Sequence, residues 1–140
     1  MTAVRLVRSR TLTEHVDYAY AATVTGPLRA VWTAGACPLD EKGATVAVGD
    51  VAGQAERVMR NLRTALADAG ADLTDIVKTT VYVASPRQED LVAAWEVVRS
   101  HMGGHDAPST LLGVAALGYD DQLVEVEAVA VTAAPRTPEP

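Results

Sequence analysis

Residues 123–131, LVEVEAVAV, alternate so strictly that they read as a β-strand with two unlike faces. Val124, Val126, Ala128 and Ala130 make one wholly apolar face. Leu123, Glu125, Glu127, Val129 and Val131 make the other, which sets carboxylates among aliphatic side chains. A strand face open to water does not normally present Leu and two Val beside its acids, so both faces are expected to be covered.

Elsewhere two helices are legible. The first runs from Val51 to Ala69, with Asp50 as N-cap, Gly70 as the stop, and Val51, Ala55, Val58, Met59, Leu62 and Leu66 at helical spacing. The second is expected to open at SPRQ, with Ser85 as cap, Pro86 at the first helical position and Gln88 closing a capping box. Leu91, Trp95 and Val98 form its stripe, and Gly103-Gly104 end it. Strands are expected at VRLV near the N-terminus and over 21–24, 30–34, 76–83, 109–117 and 123–131. Strands before, between and after two helices describe an α+β sandwich with both helices on one sheet face. Two helices cover only that face, so the other is expected to meet further copies of the chain around a polar pocket.

At 140 residues the chain has the size of one domain, expected over 1–132, with a proline-rich disordered tail over 133–140. A net charge of −6 opposes a nucleic-acid partner, because phosphate binding needs clustered Lys and Arg. The single cysteine, Cys37, rules out an internal disulfide and fits a reducing compartment. No apolar run is long enough to span a membrane and no secretory h-region is visible, so a cytoplasmic protein is expected. His15 and His101 lack partners at metal-ligand spacing, and no metal is expected.

HDAPSTLLGV, residues 105–114, offers His105, Asp106 and Ser109 in one loop. Members of a hydrolytic triad converge from separate elements with defined geometry, and neighbours in a loop do not satisfy that requirement. A loop ahead of a strand is the better reading.

DIVKTTVYV (75–83), preceded by a helix carrying Gln54, Ala55, Asn61, Leu62, Leu66, Ala69 and Gly70, closely resembles the RidA/YjgF family, also known as L-PSP endoribonucleases. The closing VEVEAVAV and the segment WTAGACPLD resemble the same family, and the likeness extends over about residues 14 to 131. The resemblance implies a chorismate-mutase-like protomer, a mixed six-stranded sheet under two helices, assembled as a homotrimer with clefts at the subunit interfaces. Well-known members hydrolyse reactive imines and enamines to carbonyl and ammonia there. The resemblance implies no cofactor.

Carried over by position, the family's tyrosine falls on Tyr18, with Tyr20 as second choice. Its serine before the turn glycine is replaced by Ala34, followed by Gly35 and, two residues on, by Cys37, which is either a reactive thiol or a small buried hydrophobe. Its late acidic residue falls on Glu125, after a one-residue insertion in GYDDQ. The family's P-A-R-S becomes Ala107-Pro108-Ser109-Thr110, so Ser109 stands where an arginine clamps the substrate carboxylate. A hydroxyl has neither the charge nor the two parallel donors of a guanidinium. Arg29, Arg87 and Arg99 are the candidates to supply a cation from elsewhere.

The residues without site roles have plain readings: Glu127 structural or paired across subunits, Trp32 and Trp95 core or interface. Glu125 and Tyr18 are the expected catalytic residues, with Ser109, Ala34, Gly35 and Cys37 lining the substrate site. The expected activity is hydrolysis of an imine or enamine other than a standard 2-imino acid. The alternative is a non-catalytic trimer that binds a metabolite or partner protein, and the third reading is ribonuclease.

Overall fold

The computed structural model describes residues 4–134. Asp50 opens helix α1 (Val51–Asp68) by accepting the Gly53 N–H. The helix ends in a Schellman closure: Gly70, at φ 82°, donates to Ala67 O and Ala71 donates to Leu66 O. Both ends agree with the sequence.

Helix α2 (Gln88–Met102) starts later than expected. Arg87, not Ser85, is the N-cap residue, and its side chain makes no capping bond. Ser85 is drawn into its own turn instead, accepting from Arg87 N–H at 3.1 Å and donating to the Asp90 carboxylate at 2.6 Å. Pro86 therefore precedes the helix rather than occupying its first turn.

Six strands are present: β1 (Val4–Val7), β2 (Ala21–Val24), β3 (Leu28–Trp32), β4 (Ile76–Val83), β5 (Ser109–Gly113) and β6 (Val124–Ala133). They hydrogen-bond as a mixed four-stranded sheet, β3-β6-β4-β5, and a separate β1-β2 ribbon, rather than as one six-stranded sheet. Gly26 at φ 95°, followed by Pro27 with no N–H to donate, turns the chain out of the ladder between β2 and β3. β5 is shorter than the expected 109–117; after Val114 N–H reaches Val83 O, β4 has ended and offers no further partner. β6 instead runs past 131 because Arg29 and Leu28 pair with Thr132 and Ala133. Of the tail expected from 133, Ala133 belongs to that strand, and 135–140 lie outside the described residues.

α2 is the crossover that lets β4 and β5 run parallel. Val58, Met59, Leu62 and Leu66 of α1 and Ala94 and Val98 of α2 bury one sheet face, meeting Val81 and Val83 of β4 and Val124, Val126, Ala128 and Ala130 of β6. The wholly apolar face of the last strand is thus the helix-covered one. Among the described residues nothing covers the other face, where Trp32 is 74% and Leu112 42% exposed. Tyr82 donates to Glu127 there at 2.7 Å. Among the described residues no helix is long and apolar enough to cross a membrane.

Candidate functional site

Glu125 stands on the uncovered side of β6, opposite Tyr82. Residues 33–36 run along the free edge of β6. Thr33 N–H donates to Ala128 O at 3.0 Å, and Ala36 and Val126 exchange backbone bonds of 2.7 and 3.2 Å. The exposed Ala34 side chain lies in this edge segment and offers no hydroxyl. Gly35 passes so close to Glu125 that a Cβ there would push the carboxylate out of its present position. Cys37 Sγ donates to Glu125 Oε1 at 3.2 Å, and Gln122 Nε2 donates to the same oxygen at 3.1 Å.

Both donors are fixed from behind. Gln54, fully buried in α1, accepts from Leu123 N–H at 2.7 Å and donates to Asp121 O at 2.9 Å, gripping the chain on either side of Gln122. Asn61, two turns along α1, donates to Cys37 O at 2.8 Å and Leu39 O at 3.0 Å. Helix α1 thereby holds two loops against one carboxylate. Burial, and then the hydrogen bond to Glu125 and its charge, push the Cys37 thiol up to about 11. A thiol raised in this way favours the protonated form, and its geometry is that of a donor to the carboxylate. Beside Gly35 and Cys37 opens a cavity of about 630 Å³, lined also by Arg57, Arg60, Asn61 and Tyr119.

Tyr18 and Ser109 lie elsewhere, on a second cavity of about 410 Å³ with Trp95, Thr110 and Leu111. Arg8 ties the Tyr18 segment down, donating to Tyr18 O at 2.8 Å and pairing with Asp106 at 2.9 Å, while Ala19 N–H donates to Asp106 O at 2.7 Å. Tyr20, the second choice, turns away and donates to Thr13 O at 2.6 Å. Thr79, on the helix-covered side of β4, donates its hydroxyl to Ser109 Oγ at 2.6 Å. Ser109 therefore faces the helices and Glu125 faces away from them. Their backbones are roughly 14 Å apart, from two strand spacings and three residues of rise.

The structure thus brings Glu125, Gly35 and Cys37 together with Ala34 beside them, and Tyr18 with Ser109, but does not join the two groups within one chain. His105 Nε2 is 2.6 Å from Ile76 O and Asp106 pairs with Arg8, so neither touches Ser109. The three candidate arginines are engaged elsewhere: Arg29 with Gly70 O at 3.1 Å, Arg87 with Glu89, and Arg99 with Asp17 at 3.4 Å. Gln122, Gln54 and Trp95 have no site signal in the sequence. Trp95 belongs to a helical stripe, and the two glutamines are legible only once the loop has folded over α1.

The family model described as Endoribonuclease L-PSP matches residues 13–132. A RutC family protein of Pyrococcus abyssi is 33% identical over 100 residues, 71% of this chain and 76% of that protein. The 2-iminobutanoate/2-iminopropanoate deaminase of Rattus norvegicus is 31% identical over 103 residues, 74% of this chain and 73% of the enzyme. Among solved structures, the Rid-family protein YyfB of Yersinia pestis, of unknown function, superposes with a TM-score of 0.80 at 26% identity, over 91% of this chain and 98% of that one. E. coli TdcF with bound serine superposes with a TM-score of 0.64 at 26% identity, over 92% and 99% of the two chains. With two helices on one face of a mixed sheet and a family match over nearly its whole described length, the chain belongs to the Endoribonuclease L-PSP, or RidA/YjgF, family.

Proposed function

We propose that the chain is a homotrimeric hydrolase of a reactive imine or enamine, with each active site formed where the Glu125 group of one subunit meets the Tyr18–Ser109 group of the next. The observation that carries this reading is the Glu125 carboxylate, held by two donors on one oxygen and closely approached by the Gly35 backbone. The uncovered sheet face around it, with the large apolar side chains Trp32 and Leu112 exposed among polar ones, supports a subunit interface there.

Hydrolysis of C=N adds water to carbon and moves both water protons to nitrogen, one on addition and one from the carbinolamine hydroxyl, so that ammonia leaves as the carbonyl forms. With Cys37 and Gln122 both on Oε1, Oε2 is left to accept from the attacking water. The same carboxyl group then returns the proton to the departing nitrogen. A positioned acid–base residue contributes typically about 10²–10⁴-fold to such a step. Tyr18 orients the substrate from across the cleft.

The deaminases among the relatives are named for substrates that carry an α-carboxylate, and TdcF holds serine, which carries one too. Here the matching position is Ser109, and no guanidinium lines its cavity. Losing a bidentate arginine contact costs on the order of 2–5 kcal/mol of binding to a carboxylate. The substrate is therefore an imine without that group.

Ammonia release tests this in two parallel assays. One uses 2-imino acids made in place by an amino-acid oxidase; the other uses the matching carboxylate-free imines made by an amine oxidase. Turnover confined to the second set, abolished by Glu125→Ala, is the expected result. Turnover of 2-imino acids by the wild type would overturn the reading of Ser109. The neutral Ala34 and Ser109 favour one alternative, a non-catalytic metabolite- or partner-binding trimer, for which silence in both assays alongside ligand-induced thermal stabilisation is the signature. Ribonuclease activity, the third reading, is opposed by the net charge of −6 and would require RNA cleavage dependent on Glu125.

A further inference from the structure

The cavity of about 410 Å³ beside Tyr18 is walled by aromatic rings and neutral hydroxyls. Tyr18 meets Trp95 edge-to-face with centroids 6.5 Å apart, and Tyr20 braces Tyr18 from behind at 5.9 Å. The Trp95 indole N–H donates to Asp17 at 3.3 Å, which fixes the ring's tilt and leaves its carbon surface to the cavity. Ser109 accepts from Thr79, so its own proton is free for a ligand acceptor. Among the described residues no cation lines the cavity: Lys78 reaches Thr110 Oγ1 at 2.6 Å from the far side of the sheet, and Arg99 is held by Asp17 at 3.4 Å.

We infer that this cavity takes a flat apolar substituent, an aromatic ring, on the carboxylate-free imine proposed above, with Trp95 as the specificity-determining residue. The inference rests on that reading of function for the reacting group, but the pocket's chemistry stands by itself. An apolar cavity of about 150 Å³ suffices to hold benzene, so the space here accommodates a ring and the carbon that carries the nitrogen. The rings of Tyr18 and Trp95 offer the offset and edge-on contacts that a planar ligand uses. The Ser109 hydroxyl supplies one neutral hydrogen bond, which suits an imine nitrogen or carbonyl oxygen rather than a carboxylate.

The test is a binding titration by NMR on the whole protein with four ketones: phenylacetone, acetone, phenylpyruvate and pyruvate. They separate the ring from the carboxylate. Phenylacetone is expected to bind at least roughly tenfold more tightly than acetone and no less tightly than phenylpyruvate, with ring-to-indole cross-relaxation at Trp95. Trp95→Leu is expected to erase the ring's advantage and Trp95→Phe to keep it. Equal binding of phenylacetone and acetone, a ring advantage that survives Trp95→Leu, or tighter binding of phenylpyruvate would each overturn the inference. The cross-relaxation in the wild type decides the matter even if a variant fails to fold. Ring-selective binding without ammonia release from the matching imine would sink the hydrolase reading and leave this one standing. Turnover of carboxylate-free imines regardless of the ring would do the reverse.

Discussion

The two halves of the candidate site are built by different means. Around Glu125 both side-chain donors have a second support of their own: Cys37 is held by Asn61, and Gln122 is held through its chain neighbours by Gln54. Around Ser109 the walls are rings, and the loop that carries Tyr18 is tied down by Arg8, an exposed side chain. Buried, fully satisfied polar networks fix geometry because breaking any member strands the rest. Ring contacts fix shape while tolerating adjustment. A reacting group needs the first kind of support, whereas a pocket that sorts substrates by outline works with the second.

The largest test of that contrast is Glu125→Ala, expected to cost about 10²–10⁴-fold in kcat/KM for ammonia release while leaving ketone binding at Trp95 intact. Next comes the network behind it. Gln54→Leu strands Leu123 N–H and Asp121 O, at about 1–3 kcal/mol for each orphaned group, and is expected to lower both activity and the midpoint of chemical denaturation. Comparable activity loss without loss of stability would mean that the loop is held by something other than α1.

The Cys37 thiol gives a pH test. The fold raises its pKa to about 11, so the folded protein holds this proton more tightly than the unfolded chain. The resulting stabilisation is complete below the unfolded thiol's value, about 8.5, and disappears as pH rises through about 11. Alkylation by iodoacetamide is accordingly expected to be slow at pH 7 and to accelerate steeply only above pH 9; fast labelling at neutral pH would refute the donor role. The smallest effect is expected from Arg8→Ala. Its pair with Asp106 is exposed and contributes about 0.2–1 kcal/mol, so stability should barely move. Release of the Tyr18 loop should nevertheless weaken substrate affinity, measured as a rise in KM with kcat unchanged.

Much of this architecture is legible in the residues. Strict alternation in β6 and the Asp50 and Gly70 boundaries of α1 are local signals, and the folded chain keeps both. Glu125 is visible as an acid on a face that should have been hydrophobic. What stays hidden depends on partners distant in sequence. β5 stops where β4 stops, which no window over 109–117 contains. Ser85 prefers Asp90 to the helix terminus, a choice between two local hydrogen bonds of similar worth. The separation of Ser109 from Glu125 follows from register across three strands, and Gln54 belongs to the helix that carries the family likeness without any sign in the sequence of the loop it grips.

Within one chain Ser109 and Glu125 point to opposite sides of one sheet, about 14 Å apart and with no hydrogen-bond partner in common. Selection can therefore rewrite what the molecule recognises, one residue at a time, without reopening how it reacts. Exchange of arginine for serine at 109 leaves the hydrogen-bond partners of the carboxylate in place, and the reverse exchange does the same. Diversity of substrates within a family of one fold is the evolutionary signature that such a division leaves.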